Sequence, residues 1–249
     1  MRANINILCL IAGLALLIPP HAHGQYMSMF NASNMAAVNI AGTASVNAAI
    51  GKSAKIASRN IKSKAGLAPK AAGRYRPIRF TVDPALRAKV MQSYLDRARK
   101  MDRAEGDALA RAFSQTDQFA VAAGNLRLYG LDINDLADVV TAYWAVNWGA
   151  VHQSGRPSKR QVQGLQKQIR QTLAGSSLAG RQNGAVVQQY ADDMLMRLLL
   201  IDGAVEQGLR EGNREQLQTV GTYVRQSSYT QMGIDLGVLN LTSKGLVPF

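Results

Sequence analysis

Apolar residues recur at helical spacing from Asp83 onward. Asp83 is a suitable N-cap, Pro84 suits a first helical position, and Leu86, Val90, Tyr94, Ala98 and Met101 follow at steps of three and four. This predicts a helix with one buried stripe and a polar face carrying Arg87, Lys89, Arg97, Arg99 and Lys100. A second helical stretch runs from about Glu105 to Ala123 with a candidate break near Thr116; Asp102 and Glu105 are spaced as a capping box. Gly130, Leu131 and Asp132 form a turn and cap. The stretch from about Ile133 to Val151 then has almost no polar face after Asp138, with Val139, Val140, Ala142, Tyr143, Trp144, Ala145, Val146 and Trp148 covering every side. A helix apolar all round belongs inside a bundle, so this one is expected at the centre.

Gly155 and Pro157 end it. Ser158 with Gln161 opens the next helix, whose Val162, Leu165, Ile169 and Leu173 share a face until Gly175. The longest helix is expected from about Gln182 to Leu209, striped by Val187, Tyr190, Met194, Leu198, Ile201 and Val205. Asn213 caps a last one through Leu217, Val220 and Val224, closed by Gly233. Ile234 to Phe249 is too rich in Gly and Leu for a regular helix and is expected to lie across the bundle as a seal. The fold class is therefore all-α: a single antiparallel bundle of about six helices, residues 80–249, with an irregular C-terminal seal. No strand pattern stands out beyond a lead-in near Ile78 to Val82, where Tyr75 and Phe80 are expected to pack on the domain.

The N-terminal part obeys different rules. Arg2, an uncharged apolar stretch from Ile5 to Ile18, Pro19 and Pro20, and the ending Ala22, His23, Gly24 make the three-part pattern of a signal peptide, residues 1–24. A retained anchor is the alternative, but the run is shorter than the roughly 20 residues a spanning helix needs. Cys9 lies inside the apolar run and not at its end, against a lipoprotein. Export implies the periplasm, or secretion. Cleavage after Gly24 would also remove the only cysteine and leave His152 as the sole histidine of the three. No disulfide, cysteine nucleophile or Cys/His zinc site could then form, and no metal or cofactor is expected.

The net charge of +13 suggests a nucleic-acid partner only until it is divided along the chain. Residues 52–103 hold fifteen Lys and Arg against Asp83, Asp96 and Asp102, whereas residues 104–249 hold thirteen of each sign. The excess belongs to one segment. Residues 25–79 form a basic tail, rich in Ala, Asn, Ser, Gly and Lys through residue 73, and poor in large apolar side chains after Phe30, so disorder is expected. Outside the cytoplasm such a tail suits a solvated tether, with weak contact to anionic lipid or cell-wall polymer as the functional alternative. Its charges are dispersed, and no nucleic-acid partner is expected. Arg74, Tyr75, Arg76, Arg79 and Phe80 interleave bases with aromatics, but one such cluster is a weak signal.

Candidate chemistry concentrates on the central helix. Asp135 and Asp138 share a face, and Tyr143, Trp144, Asn147 and Trp148 follow them. Functionally these residues could line a pocket for a small polar or glycan-like ligand. Structurally, the tryptophans fill the core, Asn147 ties the helix to a neighbouring backbone, and Asp132 with Asp135 caps its start. Two carboxylates can also divide acid and base roles in a cell-wall hydrolase, with Asp135/Asp138 or Asp192/Asp193 as pairs by count alone. No nucleophile-elbow pattern accompanies them. The expectation leans away from an enzyme, with no catalytic residue assigned.

Two motifs carry a resemblance. Gly130, Leu131, Asp132, Asp135, Leu136, Ala137 and Asp138, with Tyr143, Trp144, Asn147 and Trp148, resemble the signature of a family of exported proteobacterial proteins of unknown function. Gly233, Ile234, Asp235, Leu236, Leu241, Thr242 and Gly245 resemble that family's C-terminal motif. The likeness covers about residues 75–246 and leaves the basic tail outside the shared core. It implies a helical domain in or beyond a Gram-negative envelope and transfers no catalytic residue. Together these readings point to a non-catalytic envelope interaction or accessory protein with a protein partner. A ligand-binding module using the Trp144/Trp148 region is the alternative, and a cell-wall hydrolase comes third.

Overall fold

A computed structural model describes residues 75–174 and 184–249. The expected signal peptide, the basic tail up to residue 74 and the link around Gly175 lie outside the described residues. The described part is all-α apart from a small hairpin. Helices α1 (Pro84–Met101), α2 (Arg103–Gln115), α3 (Gln118–Leu128), α4 (Leu136–His152), α5 (Lys159–Ala174), α6 (Gly184–Glu211) and α7 (Arg214–Met232) are followed by a 3₁₀ turn (Leu236–Val238) and strands β1 (Leu239–Thr242) and β2 (Gly245–Pro248).

Most helix starts follow from local capping. Asp83 accepts from the amides of Ala85 and Leu86, Asp117 from Ala120, and Asn213 from Gln216. Ser158 and Gln161 form the reciprocal box, with Ser158 N donating to Gln161 Oε1 at 2.8 Å and Gln161 N to Ser158 Oγ at 3.4 Å. Gly233 closes α7 with φ of 68°, a left-handed turn in which glycine has no Cβ to clash. The break expected near Thr116 is real, so the second helical stretch becomes α2 and α3 and the described residues hold seven helices.

Helix α4 is the centre, packing on α5, α6 and α7. Its Leu136, Ala137, Val139 and Val140 are fully buried, as the all-round apolar pattern requires. Leu165 and Leu173 of α5, Leu195 and Met196 of α6 and Val220 of α7 are equally inaccessible. The lead-in crosses the start of α4 as an extended chain: Phe80 N donates to Asn134 O at 3.2 Å and Leu136 N to Ile78 O at 3.0 Å. Ile78 and Phe80 are buried there.

Two expectations need correction. The C-terminal seal contains an antiparallel hairpin, with Leu241 opposite Leu246 and Thr242 opposite Gly245. Four residues per strand leave too short an alternation to read, and the turn depends on Gly245 at φ of 101°. Arg87 is not part of a solvated face. Its side chain is only 19% exposed, lies over the Phe119 ring at 4.4 Å and pairs with buried Asp192.

Candidate functional site

The residues singled out on α4 fall into three groups. At its start, Asp135 is the N-cap: Oδ1 accepts from Ala137 N and from the Tyr75 hydroxyl, both at 2.9 Å. Burial raises its carboxyl above the usual range, with Asp138 adding to the effect and the Tyr75 and Ala137 hydrogen bonds opposing it. Burial likewise raises the Tyr75 phenol, helped by the Asp135 charge.

Asp138, one turn on, gathers three elements. Its Oδ2 accepts from Asp132 N at 2.9 Å, and its Oδ1 from Gln166 Nε2 at 2.8 Å and Arg170 Nη2 at 2.9 Å. Asp132 itself caps the preceding turn through Asn134 N. The first carboxylate pair thus joins the lead-in, the turn before α4, and α5. Both acids are 2% exposed.

The second pair behaves similarly on α6. Asp192 accepts from Arg87 Nε and Nη2 at 3.1 and 2.8 Å and from Gln188 Nε2 at 3.1 Å. Asp193 accepts from the Tyr94 hydroxyl at 2.7 Å and Arg197 Nε at 3.0 Å. Adjacent on one helix, the two carboxylates address two different residues of α1. Their partners Arg87 and Tyr94 lie 105 and 99 residues away, beyond the reach of any local pattern.

The aromatic group divides in two. Trp144 is 1% exposed and meets Tyr143 edge-on at 5.8 Å. Trp148 donates from Nε1 to Leu239 O at 2.9 Å and stacks on His152 at 4.8 Å, whose Nε2 lies 3.0 Å from Leu236 O. This part of α4 holds the C-terminal segment. Asn147 is buried with its Oδ1 unpaired. Together with Tyr143, Arg197, Tyr223 and Ser227 it lines a polar recess of about 10 Å³ between α4, α6 and α7. That is about the space of one water molecule. Neither tryptophan lines this recess.

A larger opening lies on another side of α4, facing α3 and α6, with Asn125, Arg156 and Asp202 at its polar positions. None of these three stood out in the sequence, because each is a single polar residue in a different element. Among the described residues no group of three or more His, Cys, Asp or Glu is placed to hold a metal ion. No described helix is long and apolar enough to cross a membrane.

No curated protein and no solved structure matches the chain. A family model does, that of a family of unknown function, DUF6683, over residues 3–248. The match extends well beyond residues 75–246, and the basic segment falls within its span. With nearly its whole length matched, the chain belongs to this family of unknown function.

Proposed function

We propose that the chain is an exported, non-catalytic accessory protein of the envelope that acts by binding a protein partner. The observation that supports a non-catalytic role most directly is that Asp135, Asp138, Asp192 and Asp193 are buried and each accept hydrogen bonds from the helices and turns packed around them. A general base must reach the proton it abstracts on a bound substrate, and these oxygens face α1, α5, the lead-in and their own helices. The signal-peptide pattern of residues 1–24 supports export, and the basic segment supplies a means of staying near anionic lipid or cell-wall polymer.

The test is crosslinking of the full-length protein, expressed with its own leader, followed by cell fractionation. A discrete crosslinked species in the periplasmic or secreted fraction is expected; cytoplasmic retention of an unprocessed chain, or no crosslinked partner, would overturn the proposal. Zymography on purified murein addresses the hydrolase reading. No clearing by the unmutated protein would dispose of it; clearing that disappears in Asp135→Asn and Asp138→Asn variants shown by circular dichroism to be folded would establish it. A ligand-binding role is favoured by one specific observation, the opening between α3, α4 and α6, which lies away from both tryptophans.

A further inference from the structure

Charge is unevenly spread along the folded part. Residues 139–191 hold six Lys and Arg and no Asp or Glu, and residues 236–249 hold Lys244 and no acidic side chain. The fold brings these two stretches together, because the C-terminal hairpin packs on α5. Gln161 Nε2 donates to Leu241 O at 2.7 Å on one edge of the hairpin, while Gln168 donates to Leu246 O and accepts from Leu246 N, at 3.0 and 2.8 Å, on the other. Between the two glutamines Gly164 has no Cβ, and the turn backbone at Ser243 and Gly245 takes up the space that one would fill. The turn is thereby seated on α5 at Gly164. Arg160 and Lys167, the i−4 and i+3 neighbours of Gly164 on the helix surface, flank it, and Lys244 belongs to the turn itself. The acids nearest this side are already taken: Asp138 by Arg170, Asp202 and Glu206 by Arg156, and Asp235 by Arg225. Lys159, Arg160, Lys167 and Lys244 remain exposed with no ion-pair partner among the described residues, against at most the terminal carboxylate of Phe249.

The hairpin adds an apolar element to this cationic surface. Strand alternation turns Leu239, Leu241 and Leu246 toward the helices, where they pack on the core, and leaves Val247 on the outer face. Phe249 N donates to Val238 O at 3.4 Å, which extends the ladder by one pair and sets Phe249 and Val238 side by side. Val238 is 52% exposed and Phe249 78%. A solvated anionic polymer would leave these side chains in water. The headgroup region of an anionic bilayer accepts both kinds of group, cations at the phosphates and apolar tips slightly deeper.

We infer that the outer face of the hairpin and the exposed face of α5 form a docking surface for an anionic bilayer, on which the domain lies without crossing it. This surface is separate from the basic tail and does not depend on the protein-docking reading. Because the tail can itself hold the chain on a charged membrane, the test reads the surface by position. The full-length protein carries Cys9→Ser, which removes its one cysteine, and an environment-sensitive dye on Asn240→Cys of the hairpin or, as the control, on Gln115→Cys at the end of α2. Vesicles of equimolar phosphatidylglycerol and phosphatidylcholine are expected to shift the dye at 240 to the blue and leave the dye at 115 unchanged; pure phosphatidylcholine moves neither. Replacing Arg160, Lys167 and Lys244 together by Gln is expected to weaken the response at 240 about fivefold per cation, about 100-fold in all. Val238→Ser combined with Phe249→Ser is expected to weaken it about tenfold. All five positions are exposed, so circular dichroism should show these variants folded. No response at 240, equal responses at 240 and 115, or a response untouched by the three Gln substitutions would overturn the inference. So would soluble polyglutamate reproducing the vesicle response with no dependence on Val238 and Phe249, which would assign the surface to an anionic polymer.

Discussion

The C-terminal hairpin and the α2–α3 segment finish the same bundle in contrasting ways. On the hairpin side, long-range hydrogen bonds close the surface: Trp148 to Leu239, Gln161 Nε2 to Leu241 O, and Gln168 both to and from Leu246. These bonds span 78 to 91 residues of sequence. The α2–α3 side instead carries unpaired buried groups, namely both Oε atoms of Glu105, Gln118 Nε2 and Asn125 Nδ2. One region is locked by polar contacts to the helices beneath it; the other relies on apolar packing around an opening. Elements with few satisfied cross-links are where local rearrangement is least costly, and binding sites are drawn from such regions. The contrast places adaptability beside α3 and rigidity at the C-terminus.

The largest test breaks the locked side. Trp148→Ala removes the indole and its bond to Leu239, and a loss of about 3–5 kcal/mol is expected from a buried aromatic truncation. Denaturant unfolding should show it, with limited proteolysis cutting after Leu236 before the rest of the domain. A variant that melts like the parent would mean that the hairpin adds little to the fold.

Asp138→Asn comes next, because Asp138 connects α4 to α5, the helix on which the hairpin rests. The neutral amide retains one acceptor for Asp132 N, Gln166 and Arg170 and loses the charge facing Arg170. Arg170 is about one-third exposed, so water replaces part of the interaction, and about 1–3 kcal/mol is expected. The smaller loss relative to Trp148→Ala, measured in the same denaturant, would show that the polar clamp is secondary to the aromatic one.

Gly164→Ala probes the same contact more gently. A Cβ at Gly164 would collide with the Ser243 carbonyl and come within 3.0 Å of Gly245 N, so the β1–β2 turn must move away from α5. Overpacking of this kind costs about 1–3 kcal/mol, less where the neighbour can shift, as a terminal hairpin can. Thermal melting combined with hydrogen exchange at Leu241 and Leu246 would follow it; protection unchanged at those amides would rule out displacement of the hairpin.

The two regions also differed in how much the amino-acid order revealed. Helix boundaries set by neighbours in sequence, such as Asp83 with Pro84, Ser158 with Gln161 and Asn213 with Gly233, were readable, as was the buried character of α4. What escaped was set by distant partners. Arg87 looks like a surface residue of α1 until Asp192 arrives from α6, and the hairpin's alternation is only Leu239 and Leu241 before a turn. The opening beside α3 was unreadable for a different reason: alanines at 122, 142 and 145 resemble ordinary close-packing positions, and only the assembled helices leave space between them. Asp102 and Glu105 are the instructive case. Asp102 Oδ1 accepts from Glu105 N at 3.0 Å as a capping box requires, but Asp102 N already donates to Ala98 O at the end of α1. The helices follow so closely that the return half of the box has no donor.

That missing half yields the smallest and most selective prediction. Glu105 is buried with both carboxylate oxygens unpaired, and burial, with Asp102 adding to it, pushes its carboxyl up to about 7 from an ordinary 4.5. Its folded pKa therefore exceeds its unfolded one. The folded chain keeps a proton that the unfolded chain releases between these values, so the contribution of this group to stability falls as pH rises through the window. Glu105→Gln removes the ionisation while leaving the helix start in place. It is expected to raise stability by about 1 kcal/mol at pH about 8 and to change little at pH about 4, since only the charged form carries the penalty. Melting curves at the two pH values should differ from the parent by about 2–4 °C at the higher one alone. An equal shift at both would mean that the hydrogen bonding of the new amide and not the loss of the charge sets the effect, and would remove ionisation of Glu105 as the destabilising feature of the α2–α3 side.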